Sequence, residues 1–330
     1  MCRFALVLSL LGDTETATRY LDWLCSLGSL TDAPFQVMYG LSGGLDLEEH
    51  EQPEACGYRG SAPVHEGNRA YQQLQHRALG YLADCAEVHQ AAGGSWNDRY
   101  WDKLIKPIAD YTMRAWREPD SGIWELPTRA QYVSSKVMDW VTLDRAVKIA
   151  RRTGHAQETG QWEQTMYLIQ AEVMERGWSE RLGSFRQHYD GEGLDASTLL
   201  IPITGFLPAD HPRVLSMVRR IEDSLAIDHF VYRFHPDETP GYSGAALLGE
   251  FEGAFLPCTF WLATTYALQG RVADADAVLT QAEQIAGDLL LFAEEVDPRA
   301  GGFLGNTPLL FSQMEYVRAI VALSQAQNQA

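Results

Sequence analysis

Two short stretches of this chain place carboxylates where they could act as a pair. The first is Asp120-Ser121-Gly122-Ile123-Trp124-Glu125, in a Pro/Gly-rich turn just ahead of a helical pattern that starts near Gln131. A carboxyl beside an indole is partly desolvated, which favours its protonated form and suits a general acid. The second is Phe292-Ala293-Glu294-Glu295-Val296-Asp297-Pro298, again between helical patterns. Two carboxylates flanking one bond are the machinery of glycoside hydrolysis. The plain alternatives are a loop glutamate that caps a helix or faces water, and a solvated acidic turn. The residues alone leave both open.

Other chemistries find little support. There is no P-loop, no dinucleotide glycine fingerprint and no HExxH, and Gly191-Glu192-Gly193 is a lone GxG outside a strand–helix turn. No two of the nine His stand at metal-ligand spacing on a helix. The expected chemistry therefore uses no metal and no cofactor. The five cysteines are scattered without CxxC spacing, which fits a reducing, cytoplasmic setting. The run Phe4 to Leu11 resembles a short signal core, but no small-residue cleavage site follows it. No apolar run reaches the ~20 residues that span a bilayer. A net charge of −18 argues against nucleic acid or an anionic membrane as partner. With 11% aromatics, including 9 Trp and 14 Tyr, the 330-residue chain suits either sugar stacking or a large core that needs big fillers.

The elements that must position these groups are helical. Ala70, Leu74, Ala78, Leu82 and Cys85 mark one face of a helix opening near Gly67. Val214, Met217, Val218, Ile221 and Leu225 mark another, and Leu310, Met314, Val317 and Val321 a last one. Further helices are expected at 14–27, 97–117 (kinked at Pro107), 131–153, 157–177, 253–269 and 271–287, with Gly12, Gly28, Gly154 and Gly270 at helix ends. Strand signals are confined to 183–187 and 230–234. Tight turns alternate with long loops at 28–66, 178–194 and 228–252. That alternation is what a toroid of helical hairpins produces, with its site among the long loops. No linker or repeat divides the chain, so 1–330 reads as one domain.

The motifs then resemble those of glycoside hydrolase family 15, the glucoamylase-like family. The resemblance rests on Gly122-Ile123-Trp124-Glu125 followed by Ser135-Lys136-Val137-Met138, Trp140-Val141 and Leu143-Asp144-Arg145. Around these, in order, stand Gln36-Val37-Met38-Tyr39-Gly40, Gly57-Tyr58-Arg59-Gly60-Ser61-Ala62-Pro63-Val64 with Gly67-Asn68, and Leu194-Asp195-Ala196-Ser197 through Gly205-Phe206-Leu207-Pro208. Val231-Tyr232-Arg233, Glu252 through Trp261, Glu294 through Pro298 and Leu304-Gly305-Asn306 complete the series. The resemblance runs from about Phe4 to about Ala322.

It implies an all-α fold, an (α/α)6 toroid, and an inverting exo-acting hydrolase releasing glucose from short α-glucans, with trehalase as the alternative. By match of motif Glu125 takes the place of the general acid and Glu294 that of the general base. Arg233 resembles the arginine at the cleavage subsite and Phe255 an aromatic wall of it. Trp124, Tyr39, Tyr58 and Arg59 are expected to line the same pocket and bind an α-glucan oligosaccharide or trehalose. Two departures stand out. The family's Trp-x-Arg-Asp stretch, whose Arg and Asp grip the terminal glucose, is expected ahead of Met1-Cys2-Arg3-Phe4 and does not stand in these 330 residues, and neither does the β-sandwich domain that precedes the toroid in bacterial relatives. The chain thus resembles an N-terminally truncated toroid with incomplete first helices, which opens a third expectation, a non-catalytic sugar-binding remnant.

Overall fold

A computed structural model describes residues 2–27, 35–239, 248–250 and 252–329. Twelve α-helical segments follow one another: α1 (Cys2–Leu10), α2 (Thr14–Ser26), α3 (Arg77–Ala91), α4 (Asp98–Tyr100), α5 (Lys106–Ala115), α6 (Val133–Thr153), α7 (Gly160–Glu172), α8 (Leu200–Ile203), α9 (Pro212–Leu225), α10 (Leu256–Leu268), α11 (Val272–Ala286) and α12 (Leu310–Gln327). Six of them close a ring by successive packing: α1 on α3, α3 on α6, α6 on α8, α8 on α10, α10 on α12, and α12 back on α1. Outside it, α2, α5, α7 and α11 pack against their inner neighbours, and α9 packs on the 3-10 turn Ala196–Leu199 that leads into α8. The fold is the all-α (α/α)6 toroid.

Inner helices show their position in their sequences. Twelve of the thirteen residues of α10 are buried, so it carries an apolar surface all round rather than one stripe. Its polar residues are threonines, and Thr264 returns its hydroxyl to the Phe260 carbonyl at 2.8 Å. Outer helices are amphipathic. In α9, the five residues Val214, Met217, Val218, Ile221 and Leu225 are the buried face, as their spacing predicts, and Pro212 starts the helix without losing a needed N–H. Asp13 caps α2 by accepting from the Thr16 N–H at 3.1 Å. Gly12, Gly154 and Gly270 end helices at positive φ as expected, whereas Gly28 lies outside the described residues.

Three expectations need correction. The helix expected near Gly67 begins at Arg77. Asn68 caps only a short 3-10 turn, Arg69–Gln72, and Gln73 is extended (φ −74°, ψ 146°). Leu74 is spent on an extended contact in which its carbonyl accepts from the Ser121 N–H at 3.0 Å. Pro107 does not kink the middle of a helix. A π turn, Trp101–Ile105, absorbs the extra residue before it, and Pro107 sits in the first turn of α5. On α12, the buried residues are Ser312, Glu315, Ala319 and Leu323 rather than the face of Leu310, Met314, Val317 and Val321. Glu315 turns that side inward: it pairs with Arg3 and accepts the Trp261 indole N–H at 2.8 Å.

Strands are short. The expected β-segments contain β4 (Ser184–Phe185) and β6 (Phe230–Val231), paired antiparallel with β3 (Trp178–Ser179) and β5 (Ala226–Ile227). A hairpin of β1 (His50–Glu51) and β2 (His65–Glu66) lies in the long first loop. No strand is expected for β7 (Ala254–Phe255), β8 (Glu295–Asp297) and β9 (Gly302–Leu304), which form an antiparallel sheet in the order β7-β8-β9. In it Phe255 pairs with Glu295, and Glu295 with Leu304. All five cysteines are free, and no helix among the described residues is long and apolar enough to cross a membrane.

Candidate active site

The loop carrying Glu125 is fixed from beneath. Asp120 and Ala130 exchange both backbone hydrogen bonds, at 3.2 and 2.9 Å, which closes the loop at its base. The buried Asp120 carboxylate accepts from the Ser135 hydroxyl at 2.8 and 2.9 Å and from the His76 N–H at 3.0 Å. Burial nonetheless raises its pKa. His76 also sets Nδ1 3.2 Å from Asp139; burial opposes protonation, but the charge and hydrogen bond of Asp139 together with the charge of Asp120 outweigh it, so the imidazole pKa is raised. The Lys136 ammonium is buried in the same layer, donates to the Trp116 and Glu118 carbonyls, and has its pKa lowered by burial. Motif residues Ser135 and Lys136 on α6 therefore act on the loop from below.

At the tip, Glu125 takes a left-handed backbone, φ 58°, rare for a side chain of its size. Gln73 supports it by donating to the Glu125 carbonyl at 3.1 Å. Of the carboxylate oxygens, Oε2 faces Asn68 Nδ2 at 3.4 Å and Oε1 faces Arg77 Nη2 at 3.9 Å. The side chain stays 34% exposed, accessible to a ligand.

Trp124, next in the chain, is buried and donates its indole N–H to Asp195 at 2.9 and 3.0 Å. Asp195 is itself buried, which raises its pKa, and accepts from the Ser197 N–H at 2.7 Å. The Trp124 ring meets Phe255 edge-on, with centroids 5.5 Å apart, and leans on Trp261 at 6.1 Å. Arg233 lies over both rings, 5.5 Å from the Trp124 centroid and 5.6 Å from that of Phe255. Glu252 holds the guanidinium from the other side, accepting from Nε at 3.0 Å and from Nη2.

Phe255 leads to the second acidic segment. The Leu256 N–H donates to the Glu294 carbonyl at 3.0 Å, and Phe255 faces Glu295 across β7 and β8. Glu294 Oε2 accepts from the Asn306 backbone N–H at 3.1 Å and from its side-chain amide at 2.8 Å. Glu295 points elsewhere: its Oε2 accepts from the Gly253 N–H at 3.0 Å. Burial, and then the neighbouring Glu252, push its pKa up to about 7. The two acidic segments, 169 residues apart in sequence, thus converge through the contact of Trp124 with Phe255.

A cavity of about 350 Å³ walled by α1, α2, α3 and α12 meets Glu125 through Arg77, and none of Glu125, Trp124, Arg233, Phe255 and Glu294 lines it. Tyr39 lines it, edge-on to Trp23 at 6.2 Å, with its pKa raised by burial. Arg77 lines it as well. Tyr58 and Arg59 stand apart. Both are exposed, they stack on each other at 5.2 Å, and they make no hydrogen bond or ring contact with Glu125, Trp124, Arg233 or Phe255. The residue of that long loop that reaches Glu125 is Asn68. Site neighbours not singled out from sequence are Arg77, Gln73, Asp195 and Glu252. Only Asp195 and Glu252 stand within motif stretches, where they gave a readable signal; Arg77 and Gln73 lie in a stretch that reads as ordinary helix surface.

Among the described residues, then, two carboxylate segments are joined by an aromatic pair under an arginine, at one end of a helical toroid. This is the architecture of the glucoamylase-like glycosidases. The profile of glycosyl hydrolases family 15 matches residues 3–273 and 267–321, and the chain belongs to that family. It is 39% identical to a trehalase of Mycobacterium tuberculosis over 90% of this chain and 43% of that protein. It is 35% identical to a trehalase of Thermoplasma acidophilum over 88% of this chain and 49% of the relative. The chain thus spans about half the length of these relatives. Among solved structures it superposes on a glycosidase variant in complex with glucose (TM-score 0.75, 20% identity, 98% of this chain and 86% of the other). It also superposes on a bacterial glucoamylase complexed with acarbose (TM-score 0.74, 16% identity, 98% and 48%). At these identities the superpositions speak for the fold.

Proposed function

We propose that this chain carries the catalytic toroid of an inverting α-glucoside hydrolase whose substrate is trehalose. The chemistry follows from the two acidic segments. Glu125 protonates the glycosidic oxygen as the bond to the anomeric carbon breaks. Glu294 takes a proton from a water that attacks the opposite face of that carbon. Inversion needs the carboxyls about 6.5–9.5 Å apart, so that the water fits between them. Arg233, anchored by Glu252 close to the Trp124 and Phe255 rings, brings a positive charge to the sugar being cleaved. The mechanism asks for no cofactor.

The observation that carries this reading is the convergence of the Glu125 and Glu294 segments on the Trp124–Phe255 pair. The choice of trehalose over short α-glucans is supported by the relatives named trehalase, which are far more similar in sequence than the glucoamylase structures. The test is glucose release from trehalose and from maltose by the purified chain. Release from trehalose at a kcat/KM at least ~10-fold above that for maltose supports the assignment, a ratio within reach of one well-shaped sugar site. The reverse preference points to an exo-α-glucosidase. Binding of either sugar without release points to a sugar-binding remnant.

A further inference from the structure

Arg77 stands at the start of α3 with its side chain only 16% exposed. Its Nε donates to Gln75 Oε1 at 3.0 Å, Gln75 Nε2 donates to Gln73 Oε1 at 3.0 Å, and Gln73 Nε2 donates to the Glu125 carbonyl at 3.1 Å. Arg77 Nη2 meanwhile lies 3.9 Å from Glu125 Oε1. The four residues make a closed loop of contacts around the tip of the 120–130 segment. Arg77 is also in the wall of the aromatic cavity, beside Tyr39 and Tyr81, and its other donors make no hydrogen bond among the described residues.

We propose that Arg77 is a positioning residue for Glu125 and a binding residue for a sugar ring seated in this cavity. The inference rests on reading Glu125 as the general acid. A left-handed glutamate at a loop tip has few ways to hold its carboxyl in one direction. Asn68 Nδ2 stands 3.4 Å from one oxygen, and the Arg77 guanidinium, pre-aimed by Gln75, stands 3.9 Å from the other, a charge contact and not a hydrogen bond. Guanidinium geometry suits this double task, since Nε is anchored while the two terminal nitrogens remain to serve a carboxylate and a ligand. A cavity of about 350 Å³ lies within the usual range for small-ligand sites, and aromatic walls with two arginines, Arg77 and the Glu315-paired Arg3, suit a neutral hydroxylated ring. A sugar in the cavity and the aim of the acid are then coupled through one side chain.

The test compares Arg77→Gln, Glu125→Gln and the double variant on trehalose and on α-glucosyl fluoride, a substrate whose leaving group needs little protonation. Arg77→Gln is expected to lower kcat on trehalose by about 10- to 100-fold, the order that a misaimed catalytic group costs, and on the fluoride by less than ~3-fold. KM should rise on both substrates. In the Glu125→Gln background the same change should lower kcat no further, because its effect passes through Glu125. Equal kcat losses on both substrates, or losses that add to those of Glu125→Gln, would overturn the positioning role. An unchanged KM would overturn the binding role. If Arg77→Gln does not fold, Gln75→Leu removes the anchor of the guanidinium together with the bond to Gln73 and carries the same comparison. Failure of the underlying reading is separate: it shows as Glu125→Gln itself lacking any dependence on the leaving group.

Discussion

The segments carrying Glu125 and Glu294 reach the same aromatic contact by different means. Glu125 sits at the tip of a loop whose base is clamped by buried ionisable groups: Asp120, His76, Asp139 and Lys136. Each is removed from water and each has a partner. Such a network is stable only while complete, because a buried polar group without its partner costs about 1–3 kcal/mol. Glu294 is held by backbone instead. It precedes the central strand of a three-stranded sheet, and the turn after β9 returns Asn306 to its carboxylate. The first arrangement sets direction through side chains far apart in sequence, the second through local strand register. The difference suits their proposed tasks: an acid must follow the leaving oxygen, whereas a base must hold one water in place.

The sharpest test of that division is chemical. Glu125→Gln should lower kcat on trehalose by about 10²–10⁴-fold, the usual worth of acid–base assistance, and far less on α-glucosyl fluoride. Glu294→Gln should lower both, since each substrate needs an activated water. Steady-state glucose release checks this. If the two variants behave alike on both substrates, the two segments do not differ in role.

The buried clamp predicts the next largest effect. Asp120→Ala strands the Ser135 hydroxyl and the His76 N–H and unbalances the charge around Lys136. It should lower unfolding stability by about 3 kcal/mol, measured as a lower midpoint in urea at constant slope. Asn306→Ala, on the other segment, should cost no more than about 1 kcal/mol, because the one bond it removes, from the side-chain amide, is solvent-exposed. Equal losses would erase the contrast between clamp and sheet.

These contrasts bear on what the sequence could reveal. Outer helices such as α9 are readable because one buried stripe must recur with the helical period. The helix of Arg77 starts late because Leu74 is claimed by a backbone contact from Ser121, 47 residues away, which no local pattern encodes. The sheet of β7, β8 and β9 was invisible because its strands are two or three residues long, too short to alternate visibly. Glu125, Trp124, Arg233 and Phe255 were legible as motif residues, and the structure gathers them with the Glu294 segment. Tyr58 and Arg59 share a motif with one another but are exposed and make no hydrogen bond or ring contact with Glu125. Arg77 carried no signal, since its role depends on the loop tip that lies against it.

Glu295 gives the two acids of the second segment separate signatures. Its folded-state pKa of about 7 is raised above the ordinary carboxyl value, so the folded protein holds this proton more tightly than the unfolded chain. The resulting stability is fully present below about pH 4.3, the unfolded value, and is lost as pH rises to about 7. One pKa unit is worth about 1.4 kcal/mol; allowing for solvent screening of a half-buried group, the slope should total about 1–3 kcal/mol. Glu295→Gln should flatten the fall in stability between those pH values while keeping kcat within ~10-fold of the parent. A loss as deep as that of Glu294→Gln would move the proposed base to Glu295.

Gly305→Ala is the smallest change and the most local probe of the sheet-held acid. Gly305 has φ 68°, and a Cβ there would stand 2.8 Å from Glu294 Oε2 and 2.9 Å from Glu294 Cβ. The left-handed backbone alone costs a non-glycine residue about 1–2 kcal/mol, which a thermal or urea midpoint will show. The carboxylate must also give way, because its oxygen is held by Asn306 on the following residue and cannot keep both that bond and its place. A displaced base misplaces the water whatever the leaving group. The expected result is therefore a kcat loss of about 10-fold on trehalose and on α-glucosyl fluoride alike. The matching intrusion on the acid side, Gly122→Ala, presses on the Tyr132 ring at 2.9 Å and not on Glu125. It should lower stability while leaving the ratio of rates on the two substrates unchanged. Should Gly305→Ala instead spare the fluoride, Glu294 would be assisting the leaving group, and the roles assigned to the two segments would have to be exchanged.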